Sequence, residues 1–229
     1  HNIAVQGPNS RKILQKFVWT PDTQPSIQNL EWFRLTIARI DNVTGIPIVV
    51  SRTGYTGELG YELYVSNDHV LKLWNMLFSK NNNLKPIGLA ARNTLRLEKG
   101  FCLYGNDIDD STNPIEAGLS WITKIDKSKF IGKDSLVNAN INLKRKLVCI
   151  KMNDRGIPRK GYLLMFGDET VGEITSGTQS PSLCVGIGLA YIATSHSKPG
   201  TELKIKIRKN FLKCVIIKSP FYKDGSLNK

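Results

Sequence analysis

Short runs of alternating apolar and polar residues, interspersed with runs of helical period, fill the first 140 residues. Residues 2–6 read as a strand, and Gly7-Pro8-Asn9-Ser10 opens a helix to about Phe17, with Ile13, Leu14 and Phe17 at helical spacing. Residues 18–30 carry Pro21 and Pro25 and read as a connection. Glu31–Ile40 reads as a strand, with Trp32, Arg34, Thr36 and Ala38 on one face and Phe33, Leu35, Ile37 and Arg39 on the other. Asn42–Gly45 is its turn, and Ile46–Ser51 returns as the partner. Tyr61–Val65 forms a further strand.

Asp68 is placed to cap a helix to about Ser79, with Val70, Leu73, Trp74, Leu77 and Phe78 as its apolar stripe. Asn81-Asn82-Asn83 reads as a loop. Pro86 starts a second helix, with Gly100 as its C-cap. Thr112-Asn113-Pro114 resembles another helix start. From Val148 the pattern changes to short strands between Gly and Pro turns: 147–152, 162–165, 170–175, 185–191, 202–207 and 211–217. That spacing suits a small all-β barrel or sandwich. The polar stretch 138–146 is the expected boundary, and the fold class expected is α+β.

Composition adds one feature. The chain of 229 residues is 41% hydrophobic and 22% charged, with mean hydropathy −0.21, which suits a globular fold and excludes a disordered or collagen-like chain. No apolar run approaches the roughly 18 residues of a membrane helix. The net charge is +13 and the pI about 9.6, which draws attention to anionic partners. The four cysteines, Cys102, Cys149, Cys184 and Cys214, are too dispersed for a CxxC or zinc-finger spacing, and Cys149 and Cys214 sit in apolar runs as small hydrophobes. The three histidines pair with nothing at metal-ligand spacing. Nucleotide-loop and nucleophile-elbow motifs are missing, and Asp107–Ser111 lacks the Gly and Glu of a calcium loop.

Two segments carry candidate chemistry. Gly54-Tyr55-Thr56-Gly57-Glu58-Leu59-Gly60 places three glycines at period three, which allows positive φ or close backbone approach. Behind it, Glu62 interrupts the apolar run Tyr61–Val65. It is either a solvent-facing position or a carboxylate aimed into a pocket, where it could accept two adjacent N–H donors. Arg92 and Arg96 lie four apart on one helix face, where like charges cost about 0.2–0.5 kcal/mol unless an anion or a carboxylate compensates.

Several motifs stand in order along the chain: Arg52–Glu58 with Gly60-Tyr61-Glu62; Gly88–Glu98 followed by Cys102–Asp109; Pro114–Trp121; Gly172–Leu183; and Ser219-Pro220-Phe221-Tyr222. Taken together they resemble the T-protein, or aminomethyltransferase, family of the glycine cleavage system. Ala4–Pro8 resembles a segment well inside the family's full chain, so about the first third is expected to be absent. The resemblance implies part of a three-domain cloverleaf with ferredoxin-like elements, followed by a C-terminal antiparallel β-barrel. Residues 1–143 would be a partial folate-binding region and 144–229 the barrel. It implies methylene transfer from the aminomethyl-lipoyl arm of the H-protein to tetrahydrofolate, with release of ammonia and no metal.

By this resemblance Glu62 grips the pterin, Arg92 binds folate, Tyr55 lies near the pterin, and Trp32 and Tyr222 are further aromatic contacts. Arg96 is expected to be held by a nearby carboxylate. No catalytic residue is assigned, because the family's essential aspartate belongs to the absent part, and these residues alone are expected not to transfer one-carbon units. Trp32-Phe33 replaces a common tyrosine pair, and Asn93 replaces a common Asp. No membrane or nucleic-acid partner is implied. The setting would be cytoplasmic in a bacterium or the mitochondrial matrix in a eukaryote. Rival readings are the folate-binding domain of a dimethylglycine or sarcosine dehydrogenase, a non-enzymatic relative that assists iron–sulfur assembly, and a basic nucleic-acid-binding module.

Overall fold

The computed structural model describes residues 1–79 and 83–227. It divides into two compact units, one of residues 1–95 with 224–227, the other Arg96–Lys223.

The first unit is built on a five-stranded antiparallel sheet. Its strands are β1 (Asn2–Gln6), β2 (Val18–Trp19), β3 (Leu35–Ile40), β4 (Pro47–Ser51) and β5 (Gly60–Tyr64), in spatial order β1-β5-β4-β3-β2. Period-two alternation sets the faces. Ile3 and Val5, Ala38 and Ile40, Ile48 and Val50, and Tyr61 and Leu63 point inward to one core. Helices α1 (Ser10–Leu14) and α2 (Val70–Ser79) supply Ile13, Leu14, Leu73 and Leu77 to the same core. The register pairs Ala4 with Glu62 and Ser51 with Glu62, which puts Glu62 on the opposite face of the sheet.

Several expected boundaries move. Strand β3 begins at Leu35, because residues 31–34 form a turn in which Phe33 takes φ +58° and Arg34 N–H donates to the Glu31 carbonyl. The expected connection after α1 contains the short strand β2, paired with Arg39 and Ile40. Asp68 does not cap α2. It lies inside a 3-10 turn, Asn67–His69, preceded by Ser66. Residues 86–88 are not helical, and helix α3 runs Leu89–Glu98. Its end is as expected: Gly100 takes φ +70°, its N–H donates to the Leu97 carbonyl, and Phe101 N–H donates to the Arg96 carbonyl. Of the expected loop 81–83, Asn81 and Asn82 lie outside the described residues.

The expected helix after Thr112 is a single turn. Asn113 Oδ1 accepts from the Ile115 and Glu116 N–H groups, and Asn113 N–H donates to Glu116 Oε1 at 2.9 Å. Gly118 at φ +73° then stops it. Helix α4 (Lys133–Ile141) runs into the stretch read as a polar boundary, 138–146, and covers its first four residues. None of its residues is buried, so no apolar stripe marked it in the sequence.

The second unit is dominated by a closed antiparallel barrel, as expected. Strands β6 (Arg145–Met152), β7 (Leu163–Phe166), β8 (Glu169–Ser180), β9 (Val185–Ala193), β10 (Glu202–Ile207) and β11 (Asn210–Ile217) close in the order β10-β11-β6-β9-β8-β7. The six apolar runs read from the sequence are these six strands. Ile150, Met152, Leu164, Ile174, Ala190, Ile205 and Ile216 fill the interior. A side chain at Gly177 or Gly186 would meet the Pro158 or Gly156 carbonyl oxygen at 2.2 or 2.1 Å, so close backbone approach fixes both glycines.

Candidate functional site

In the first unit, a cavity of about 380 Å³ runs beside the edge strand β1. The strand supplies Asn2–Gln6 to its wall, the glycine-rich segment supplies Tyr55, Thr56 and Glu58, and β5 supplies Glu62. Helix α2 contributes Trp74, Leu77 and Phe78, and the approach to α3 contributes residues 84–87. Arg92 and Leu95 complete the lining.

The glycine-rich segment owes its shape to Gln6. The Gln6 amide donates to the carbonyls of Thr53 and Tyr61, both at 3.2 Å. A Cβ at Gly54 or Gly60 would meet its Oε1 at 2.0 or 1.9 Å, while Gly57 takes φ +74°. Tyr55 is thereby held against Arg92, whose guanidinium carbon lies 4.5 Å from the ring centroid. Glu62 is half-buried; its Oε1 accepts from Asn2 Nδ2 at 3.1 Å and its Oε2 from the Thr53 hydroxyl. Glu58 accepts from the backbone N–H of Ser226 at 2.8 Å and from its hydroxyl. The apolar wall is the tilted pair Trp74 and Phe78, with ring centroids 4.8 Å apart.

Three of the five residues singled out in the sequence, Glu62, Tyr55 and Arg92, therefore line one cavity. Trp32 does not line it. It stacks on Phe33 at 4.9 Å and lines a separate small pocket with Arg52, Thr53 and Glu58. Tyr222 belongs to the second unit, where its N–H donates to the Glu98 carbonyl at 2.8 Å and its ring faces Lys99 Nζ at 5.5 Å. Sequence reading missed Asn2, Glu58, Lys85 and the cavity role of Trp74 and Phe78. The last two had a signal, since they follow Leu73 and Leu77 by one residue and so lie on the flank of the core stripe.

Arg96 has a different task from Arg92. It is fully buried in the second unit and paired with buried Asp107 at 2.6 Å, as a held arginine should be. It also donates to the Phe101 carbonyl and the Ser176 hydroxyl, both at 2.8 Å. Asp107 accepts in addition from Leu103 N–H at 2.9 Å and the Thr175 hydroxyl at 2.5 Å. Each buried polar side-chain atom of the pair thus has a hydrogen-bond partner, the condition under which buried charges are tolerated. Nearby in sequence, burial pushes the Glu116 carboxyl up, but the hydrogen bond from Arg145 Nε at 2.8 Å and the Asn113 N–H outweigh it, and the acid stays below its usual range. Burial pushes the thiols up, Cys102 to about 11 and Cys149 and Cys214 to about 12.

Comparison with known families gives two matches. Residues 1–127 match the GCVT N-terminal domain, and residues 145–223 match the glycine cleavage T-protein C-terminal barrel domain. The chain belongs to the glycine cleavage T-protein family. Its T-protein relatives include the aminomethyltransferases of Halothermothrix orenii, 44% identical over 222 residues, and of Phocaeicola vulgatus, 42% identical over 226 residues. These alignments cover 96% of this chain and 60% and 61% of the relatives, so the chain spans about 60% of their length. Among solved structures, the glycine cleavage system aminomethyltransferase T of Bartonella henselae is similar with a TM-score of 0.84 at 27% identity, over 96% of this chain and 59% of that one. T-protein membership disfavours the dehydrogenase and nucleic-acid readings. Among the described residues, no helix is long and apolar enough to cross a membrane, and no group of His, Cys, Asp or Glu could hold a metal ion.

Proposed function

We propose that this chain supplies the tetrahydrofolate-binding cavity of an aminomethyltransferase, which moves a methylene from the aminomethyl-lipoyl arm of the H-protein to tetrahydrofolate and releases ammonia. The observation that carries this reading is the convergence of Glu62, Tyr55 and Arg92 on one cavity in a T-protein fold. A carboxylate has about four lone-pair sites. Glu62 uses two on Asn2 and Thr53, which leaves two for the adjacent 2-amino and N3–H donors of a pterin. Asn2 and Thr53 hold the carboxylate in place before the ligand arrives, which lowers the cost of ordering it on binding. The Trp74–Phe78 wall and the Tyr55 ring offer apolar surface to a flat heterocycle.

In this reading Glu62, Tyr55 and Arg92 bind and orient, and none is assigned a catalytic step. Trp32 and Tyr222, which do not line this cavity, take no part in the proposal. The division into a folate-binding region, 1–143, and a barrel, 144–229, is proposed likewise. The reaction belongs in the bacterial cytoplasm or the mitochondrial matrix.

The test is tetrahydrofolate titration of this chain by calorimetry, followed by a transfer assay with aminomethyl-lipoyl H-protein. The assay is run on the chain alone and with the part of a relative that it does not span added as a second polypeptide. Binding, with transfer only in the supplemented sample, is the expected result. No binding at millimolar ligand and no transfer in either sample would refute the reading.

A further inference from the structure

The acids and bases of the cavity are differently employed. Both carboxylates are held by neutral donors, Glu58 by Ser226 and Glu62 by Asn2 and Thr53. Neither cation has an acid. Among the described residues, Lys85 and Arg92 form no ion pair and donate no side-chain hydrogen bond, although both line the cavity. Arg92 at least rests on Tyr55, whereas Lys85 has no such contact. Its backbone is nevertheless constrained, because the ring of Pro86 disfavours helical geometry at the residue before it. The long apolar stem of a lysine at such a site can lie along the cavity wall and present the ammonium to an incoming anion.

This division of labour calls for a ligand with two unlike ends. One end brings hydrogen-bond donors to the acids, and the other brings negative charge to two uncompensated cations. We infer that Lys85 is a second anion-binding residue of the cavity and that, with Arg92, it holds the carboxylate end of the cosubstrate's tail. The inference rests on the folate reading above and adds to it the residue that distinguishes a ligand with an anionic tail from the bare ring. An ammonium donates as a point charge without the planar fork of a guanidinium, so it tolerates a tail that swings.

The experiment compares two probes on the full chain: tetrahydrofolate, which ends in carboxylates, and 6-methyltetrahydropterin, which carries the ring and no carboxylate. Affinities are measured for the wild type, Lys85→Gln and Lys85→Arg. Lys85 is exposed, and a thermal melt of each variant verifies the fold. The expected result is an approximately tenfold loss of tetrahydrofolate affinity in Lys85→Gln. The same variant should bind 6-methyltetrahydropterin unchanged, and Lys85→Arg should restore tetrahydrofolate binding. Unchanged tetrahydrofolate affinity in Lys85→Gln would overturn the inference and leave the folate reading standing. Equal weakening of both probes would also overturn it, since Lys85 would then act on the ring. Failure of the wild type to bind either probe would overturn the folate reading and the inference with it.

Discussion

Replacing Glu62 by Gln changes one charge and almost no volume, so it isolates the carboxylate's part in ligand binding. The side chain lies on the sheet face opposite the core, and Asn2 can still donate to the remaining oxygen, so the fold should survive. The bound pterin is expected to give two N–H bonds to the charged oxygens. Bonds to a charged group contribute about 1.5–3 kcal/mol and neutral ones about 0.5–1.5. In the Gln variant one bond is downgraded to neutral. The other is lost, because an amide NH₂ faces a donor. The combined loss is about 2.5–4.5 kcal/mol, or roughly 60- to 1,600-fold in Kd at 1.4 kcal/mol per decade. Anaerobic calorimetry with tetrahydrofolate measures it, with a thermal melt as the folding control. Glu62→Ala should lose at least as much. Affinities within twofold of wild type in both variants, with intact melts, would refute the pterin-gripping role.

Arg92→Lys keeps the charge but loses the planar contact with Tyr55, worth about 0.5–1 kcal/mol at an exposed site, so tetrahydrofolate should bind about two- to fivefold more weakly. Arg92→Ala should lose more, and equal affinity in all three proteins would count against the placement. Asp107→Asn strands Arg96 as an unpaired buried cation. Removing one member of such a pair costs about 3–5 kcal/mol, which at about 2–4 °C per kcal/mol lowers the melting temperature by about 6–20 °C; a circular dichroism melt within 2 °C of wild type would contradict it. Native protein treated with a thiol reagent at pH 8 should label exposed Cys184 quickly and the other three cysteines slowly, because burial holds their thiols protonated at about 11–12. For the same reason stability should fall as pH rises past 9. The unfolded chain gives up protons there that the folded thiols keep, and a flat urea midpoint from pH 8 to 10 would argue against it.

Short-range rules, readable along the chain, sufficed for part of the fold. Six apolar runs between Gly and Pro turns became the six barrel strands, and alternation assigned Thr36 and Ala38 to one face. Gly100 ended its helix because the left-handed C-cap needs no Cβ. Glu62 was conspicuous as the one charge in an apolar run, and the family motifs put Tyr55 and Arg92 beside it. What the chain could not disclose depends on pairing across distance. Arg92 and Arg96 share a helix face and residue type, yet one lines a cavity and the other is buried against Asp107, a difference set by which partner the fold brings within reach. The turn at 31–34 displaced Trp32 from its expected strand because Phe33 adopts positive φ, which local propensity disfavours and tertiary contacts override. Helix α4 buries nothing and so left no periodic trace. Asn2 read as a strand end and Trp74 as part of an apolar stripe, and nothing in the sequence marked Lys85. They became cavity residues only when an edge strand, a helix flank and a proline-bounded segment met around one space, and no local pattern encodes that meeting.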